Sequence, residues 1–155
     1  MTAAGLDRPL EILLVEDNPG DITLTRVGLG ESQVANHVSV AMDGREALAF
    51  LRREGSLANA PRPDLILLDL NLPGKTGHEV LAEIRADAAL EDIPVVVLTT
   101  SDSEYDIREA YRLKANCYLT KPVDYEQFAI LIEMLERFWF RYVHLPIGPR
   151  TARLP

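Results

Sequence analysis

Five residues stand where the apolar runs of this chain stop. Glu16 and Asp17 follow "LEILLV" (10–15), Asp69 ends "DLILLD" (64–69), Thr99 lies near the end of "IPVVVLTT" (93–100), and Lys121 closes "CYLTK" (117–121). An ionised carboxylate at the lip of an apolar segment is costly unless something compensates it. Three such carboxylates brought together repel one another and hold their protons more tightly unless a cation intervenes. Mg2+ suits the group: it takes few protein carboxylates, keeps several waters and is commonly shared with substrate phosphate. A cation held by Glu16, Asp17 and Asp69 leaves Asp69 available as a nucleophile toward phosphorus, as in the carboxylates that form aspartyl phosphates. Thr99 and Lys121 then bind phosphoryl oxygens, because phosphoryl transfer asks mainly for positioning and charge neutralisation.

These residues meet only if the runs that carry them are neighbouring strands. The four runs, and a weaker one at 37–43, alternate with stretches of helical period at 19–30, 45–54, 76–86, 103–114 and 124–142. Near-continuous apolar strands between helices predict a doubly wound α/β fold, a five-stranded parallel sheet covered on both faces. In the order 2-1-3-4-5, strands 1, 3, 4 and 5 are consecutive neighbours about 4.8 Å apart. Ligands of such sheets bind outside the carboxyl ends of the strands. Asn18-Pro19 supplies a cap and a first-turn proline for the helix that follows the acid pair. "NLPGKTG" (71–77) reads as a glycine-bearing loop between strand and helix.

At 155 residues the chain is expected to form one domain. Twenty-four acids against sixteen bases give a net charge of −8, which argues against nucleic acid as a partner. A single cysteine, Cys117, excludes an internal disulfide. It reads as a small buried strand residue. The N-terminus lacks an apolar run long enough for a leader or a membrane span. A cytoplasmic protein without membrane contact is expected. His37, His78 and His144 fall on separate elements without metal-ligand spacing and are expected at the surface, with no zinc.

"LLVEDNPGD", "LILLDLNLPGKTG", "VVVLTTSD" and "CYLTKPVD" together resemble the receiver domain of two-component response regulators, over about residues 9–140. The separations fit as well, thirty residues from Asp69 to Thr99 and twenty-two from Thr99 to Lys121. The resemblance implies the flavodoxin-like receiver fold, with Asp69 as phosphoacceptor and Asp17 and Glu16 as metal ligands with Asp69. It also implies a metal contact from the backbone carbonyl of Asn71 and makes Thr99 and Lys121 the switch hydroxyl and phosphate-binding lysine. Tyr118 matches the aromatic that rotates inward with Thr99. Asn71 and Ser101 match positions that tune the phosphoryl lifetime. A cis peptide bond before Pro122 is implied too. One departure is visible: the family often has Gly-Ala before the last strand, and here Lys114-Ala115 stands there.

The implied role is a phosphoacceptor signalling protein, not an enzyme acting on other substrates, that receives its phosphoryl group from a histidine kinase. A phosphate sink or a relay intermediate for the same kinase uses the same chemistry. A metal-dependent phosphohydrolase of the haloacid-dehalogenase type is a weaker alternative, since Asn71 stands where such enzymes carry a second Asp. Few residues follow the last helix, so the expected division is a receiver domain over 1–142 and a tail over 143–155, with no output domain.

The last helix suggests how the signal leaves. Phe128, Leu131, Ile132, Leu135 and Trp139 form a core stripe, while Ile130, Met134 and Phe138 extend apolar surface beyond it. With Ile107 and Tyr111 they are expected to form a dimer or partner face. "NCYLTKPVDYEQF" and "FWFRYVHLP" resemble the regulators associated with phytochrome-type kinases. That likeness implies a bacteriophytochrome partner and a homodimer built on the final helix, with the tail as a clasping arm.

Overall fold

In the computed structural model, which describes residues 1–147, the five parallel strands lie in the order β2-β1-β3-β4-β5. The strands are β1 (Leu10–Val15), β2 (Asn36–Ala41), β3 (Leu65–Leu68), β4 (Val95–Thr99) and β5 (Cys117–Thr120). The helices are α1 (Pro19–Gly30), α2 (Gly44–Arg52), α3 (Gly77–Ala86), α4 (Glu104–Arg112) and α5 (Tyr125–Arg137). Side chains of a strand alternate between faces, and apart from Glu11 in β1 and Thr99 in β4 both faces of β1, β3 and β4 are apolar. Leu13, Val15, Ile66, Leu68, Val95 and Val97 therefore enter one core with residues of α2, α3 and α4. Leu10, Ile12, Leu14, Leu65, Leu67, Val96 and Leu98 enter the other, with α1 and α5. Among the described residues no helix is long and apolar enough to cross a membrane.

Helix starts follow local chemistry. Asn18, Asp43, Thr76, Ser103 and Asp124 cap the five helices with side-chain oxygens, satisfying N–H groups the helices leave unpaired. Thr76 and Glu79 close a reciprocal capping box.

The expected helix over 124–142 is interrupted. α5 ends at Arg137, and Phe138–Tyr142 form a wider, π-type turn. The wider turn lets two consecutive aromatics, Trp139 and Phe140, both reach the core. Glu136 secures this end, accepting from Ser32 Oγ at 2.5 Å while Arg141 Nε lies 3.5 Å away. The packed body continues past residue 142. Leu145 is buried and donates its N–H to the Met1 carbonyl at 2.8 Å, and Thr2 bridges to His144. Residues 148–155, which hold most of the expected clasping arm, lie outside the described residues.

The turn before β5 manages without its usual glycine. Lys114 takes a left-handed conformation, φ 69°, and Arg85 donates from Nε to the Lys114 carbonyl at 3.0 Å. The same guanidinium donates to the carbonyls of Glu91 and Ile93 and to Asn116 Oδ1. This fork ties α3 to the starts of β4 and β5 and holds a backbone conformation that a side chain disfavours. Lys114→Gly should therefore raise stability by about 0.5–1 kcal/mol, net of the freedom glycine adds to the unfolded chain. A urea melt reads this directly; an unchanged or lowered midpoint would show the turn to be unstrained.

Candidate functional site

The sheet register assembles the site. Val15 pairs with Leu68, Leu68 with Val97, and Thr99 with Thr120. The residues just beyond these pairs, Glu16, Asp17, Asp69 and Lys121, therefore emerge at one edge beside Thr99. The Asp69 N–H donates to the Val15 carbonyl at 3.0 Å, and the Lys121 N–H donates to the Thr99 carbonyl at 2.6 Å. Asp69 and Lys121 are each only 6% exposed, so neither charge is solvated well enough to stand alone.

Their compensation is mutual. Lys121 Nζ pairs with Glu16 Oε2, and lies 3.1 Å from Asp69 Oδ2 and 3.0 Å from Asp21 Oδ2. Burial works against the Lys121 charge, but the bond to Glu16 and the charges of Asp69 and Glu16 win, and its pKa is raised. Glu16 shares that ammonium with two other acids. Burial pushes its carboxyl up to about 7, with the Asp69 charge adding to the rise and Lys121 opposing it. Glu16 Oε1 also accepts from the Asn18 N–H at 3.1 Å, which fixes the carboxylate at the start of α1.

Carboxylate oxygens of Glu16, Asp17 and Asp69 lie within 4.8 Å of one another. Two of these residues are buried and Asp17 is exposed, so a bound cation would meet protein on one side and water on the other. Hard oxygen donors in that arrangement fit a divalent metal that keeps part of its hydration. Because a metal competes with the Glu16 proton, affinity should strengthen as pH rises through about 7. One proton predicts roughly a tenfold gain between pH 6 and pH 8. Calorimetric titration of the metal-free protein with MgCl2 would read this; a flat profile would remove Glu16 from the binding equilibrium.

The remaining expected site residues divide between the pocket and its rim. Asn71 turns back on the pocket: its N–H donates to Asp69 Oδ1 at 3.1 Å, and Nδ2 lies 3.5 Å from Thr99 Oγ1. Thr99 is fully buried. Tyr118, half-buried beside the α4 core, donates its hydroxyl to the Ser101 carbonyl at 2.8 Å. The hydroxyl of Ser101 is committed to Asp106 at 2.5 Å, on the first turn of α4. The loop after β4 thus links Tyr118 to α4. Cys117 is half-buried rather than fully buried, because β5 is an edge strand. The expected cis bond before Pro122 is absent: no cis peptide occurs among the described residues, and the trans form is the intrinsically favoured one.

Two residues of the site lie within the quoted motifs but were given no role there. Gly77 opens α3 directly under Asp69. A Cβ there would overlap the Asp69 carbonyl oxygen and lie 2.6 Å from Leu70 Cα. The glycine-bearing loop pointed to a turn, not to this close approach. Asp21 sits in the first turn of α1, where an acid is ordinary, and only the fold turns it toward Lys121.

The dimer or partner face separates along α5. Ile130, Met134 and Phe138 are 46%, 63% and 57% exposed, while Phe128, Ile132, Leu135 and Trp139 are buried. On α4, Tyr111 is exposed and Ile107 half-buried, so Ile107 offers only an edge to any face there.

Comparison with known proteins agrees with this geometry. The sequence pattern of the response regulator receiver domain matches residues 12–133. Response regulator Rcp1 of Synechocystis is 47% identical over 138 residues, covering 89% of this chain and 94% of Rcp1. The crystal structure of the phosphorylated cyanobacterial phytochrome response regulator RcpA superposes with a TM-score of 0.88 at 51% identity, covering 90% of this chain and 100% of RcpA. The Mn2+-bound form of Rcp1 gives a TM-score of 0.87 at 47% identity, covering 90% of this chain and 100% of that one.

Proposed function

We propose, from the premise that this chain belongs to the response regulator receiver family and is a response regulator of two-component signalling, that it takes a phosphoryl group onto Asp69. The observation that carries this reading is the Asp69 carboxylate at the end of β3, paired with Lys121 and within metal-sharing distance of Glu16 and Asp17. A phosphohistidine of the kinase is the donor. An Asp69 oxygen attacks phosphorus, a P–O bond forms, and the P–N bond breaks as imidazole leaves. Lys121 and Thr99 receive the phosphoryl oxygens.

Mg2+ is the cation proposed, held by Glu16, Asp17, Asp69 and the Asn71 carbonyl, and when bound it neutralises charge on the transferring group. The hard-oxygen donor set supports this choice, as does the metal-bound form of a relative. Hydrolysis of the aspartyl phosphate ends the signal, and Asn71 and Ser101 tune its lifetime. Thr99 and Tyr118 pass the charge change to α4. The hydrogen bond from Tyr118 to the Ser101 carbonyl supports that route, because any shift of the loop after β4 must move it.

The test is intact-protein mass spectrometry after incubation with acetyl phosphate and MgCl2. A single base-labile adduct mapped to the peptide containing Asp69 is expected. No adduct from acetyl phosphate or from a cognate kinase would overturn the reading.

The kinase partner proposed is a bacteriophytochrome, on the strength of the phytochrome response regulators this chain resembles. We also propose a homodimer through α5, in which the tail (143–155), whose first residues pack on the receiver body, extends as an arm over the partner. The exposed stripe of Ile130, Met134 and Phe138 supports it, since contiguous exposed apolar surface marks contact. Light scattering should find a dimer that Met134→Asp with Phe138→Asp converts to monomer, with affinity weakened at least about a hundredfold. A wild-type monomer would remove the dimer proposal and leave the phosphoacceptor reading untouched.

A further inference from the structure

The resemblance assigns no role to Asp21, the last residue of "LLVEDNPGD", yet it lies 3.0 Å from Lys121 Nζ. A lysine ammonium has three N–H donors and no acceptor. Here the three point to Glu16, Asp21 and Asp69, so its donor capacity is fully used. Of these partners only Asp69 changes chemically when a phosphoryl group arrives. We propose that Asp21 is a positioning residue which, with Glu16, holds two N–H groups of Lys121 so that the third is aimed at Asp69 and the phosphoryl group it accepts. The inference rests on the phosphoacceptor reading above.

The anchors are themselves fixed. Asn18 donates its N–H to Glu16 Oε1 and accepts from the Asp21 N–H at 3.0 Å through Oδ1. One helix cap thereby fixes the Glu16 carboxylate and the backbone from which the Asp21 side chain reaches the lysine. The need for a grip is physical: Lys121 follows an edge strand, and its long, flexible stem has many rotamers to lose. During transfer the P–O bond to Asp69 forms and the bond from phosphorus to the donor's leaving atom breaks. The third N–H then passes from the Asp69 oxygen to a phosphoryl oxygen, while the two anchored ones stay.

Two plainer roles make different predictions. If Asp21 acts only as a negative charge repelling the donor, Asp21→Asn and Asp21→Ala should both speed phosphorylation equally. If it serves only the start of α1, stability should move and the transfer rate should not. A positioning role needs an acceptor atom at that place, charged or not.

The experiment follows the rate of adduct formation by intact mass, at saturating MgCl2 and limiting acetyl phosphate. Asp21→Ala should be about tenfold slower than wild type, and Asp21→Asn should recover most of the loss because its amide oxygen still accepts. In metal-free protein, 15N NMR should show an immobilised Lys121 ammonium signal in wild type and Asp21→Asn that is lost in Asp21→Ala. Should Asp21→Ala fail to fold, Asp21→Ser, too short to reach Nζ, replaces it. Equal rates in all three proteins, or faster rates in both variants, overturn the inference while leaving the acceptor in place. A wild type that forms no adduct takes down the acceptor reading and the inference with it.

Discussion

Asp69→Asn should abolish phosphoryl incorporation, lowering adduct formation by at least about a thousandfold, while the protein remains folded. The substitution removes the nucleophilic oxygen and leaves nearly the same shape. The single amide oxygen of Asn can keep one of the two bonds made by Asp69, from the Asn71 N–H, 3.1 Å from Oδ1, or from Lys121 Nζ, 3.1 Å from Oδ2, but not both. It also takes one negative charge out of a crowded pocket. The Asp69 charge helps to raise the Glu16 pKa, so Glu16 should titrate lower in this variant. Mass spectrometry reads the first effect and NMR titration of the Glu16 carboxyl the second. An adduct persisting on Asp69→Asn would move the acceptor elsewhere.

Lys121→Met should cost about 3 kcal/mol of stability at neutral pH, the scale for removing one partner from a buried ionic cluster. Glu16, Asp21 and Asp69 would then face one another with no ammonium between them. Their protons would bind more tightly in the folded than in the unfolded state, so stability must fall as pH rises through the carboxylate range. The deficit should therefore shrink in acid. It should shrink also on adding MgCl2, which binds only the folded pocket. Urea melts at pH 5 and 7.5, with and without MgCl2, test all of this. A deficit insensitive to both pH and MgCl2 would mean that Lys121 contributes packing, not charge.

The places of Glu16, Asp17, Asp69, Thr99 and Lys121 were legible in the sequence because each lies at the end of a run apolar enough to define a buried strand. A strand end is the one place where local pattern fixes the position of a functional group. The same logic gave the doubly wound sheet, since strands buried on both faces leave no alternation to misread. Element limits shifted by a residue or two where caps such as Thr76 and Ser103 set the helix start.

What the pattern left unspecified depends on contacts between segments distant in the chain. The left-handed turn at Lys114 is held by Arg85, twenty-nine residues away. The close approach of Gly77 to Asp69 and the break of the last helix at Phe138 arise where two elements compete for one space. Asp21 is ordinary in a first helical turn until β5 brings Lys121 to it across one hundred residues. Sequence alone determined which residues face the ends of the strands, because burial has a short period. Only the tertiary structure decided how their charges are shared, because electrostatic pairing depends on distances in space that no local period encodes.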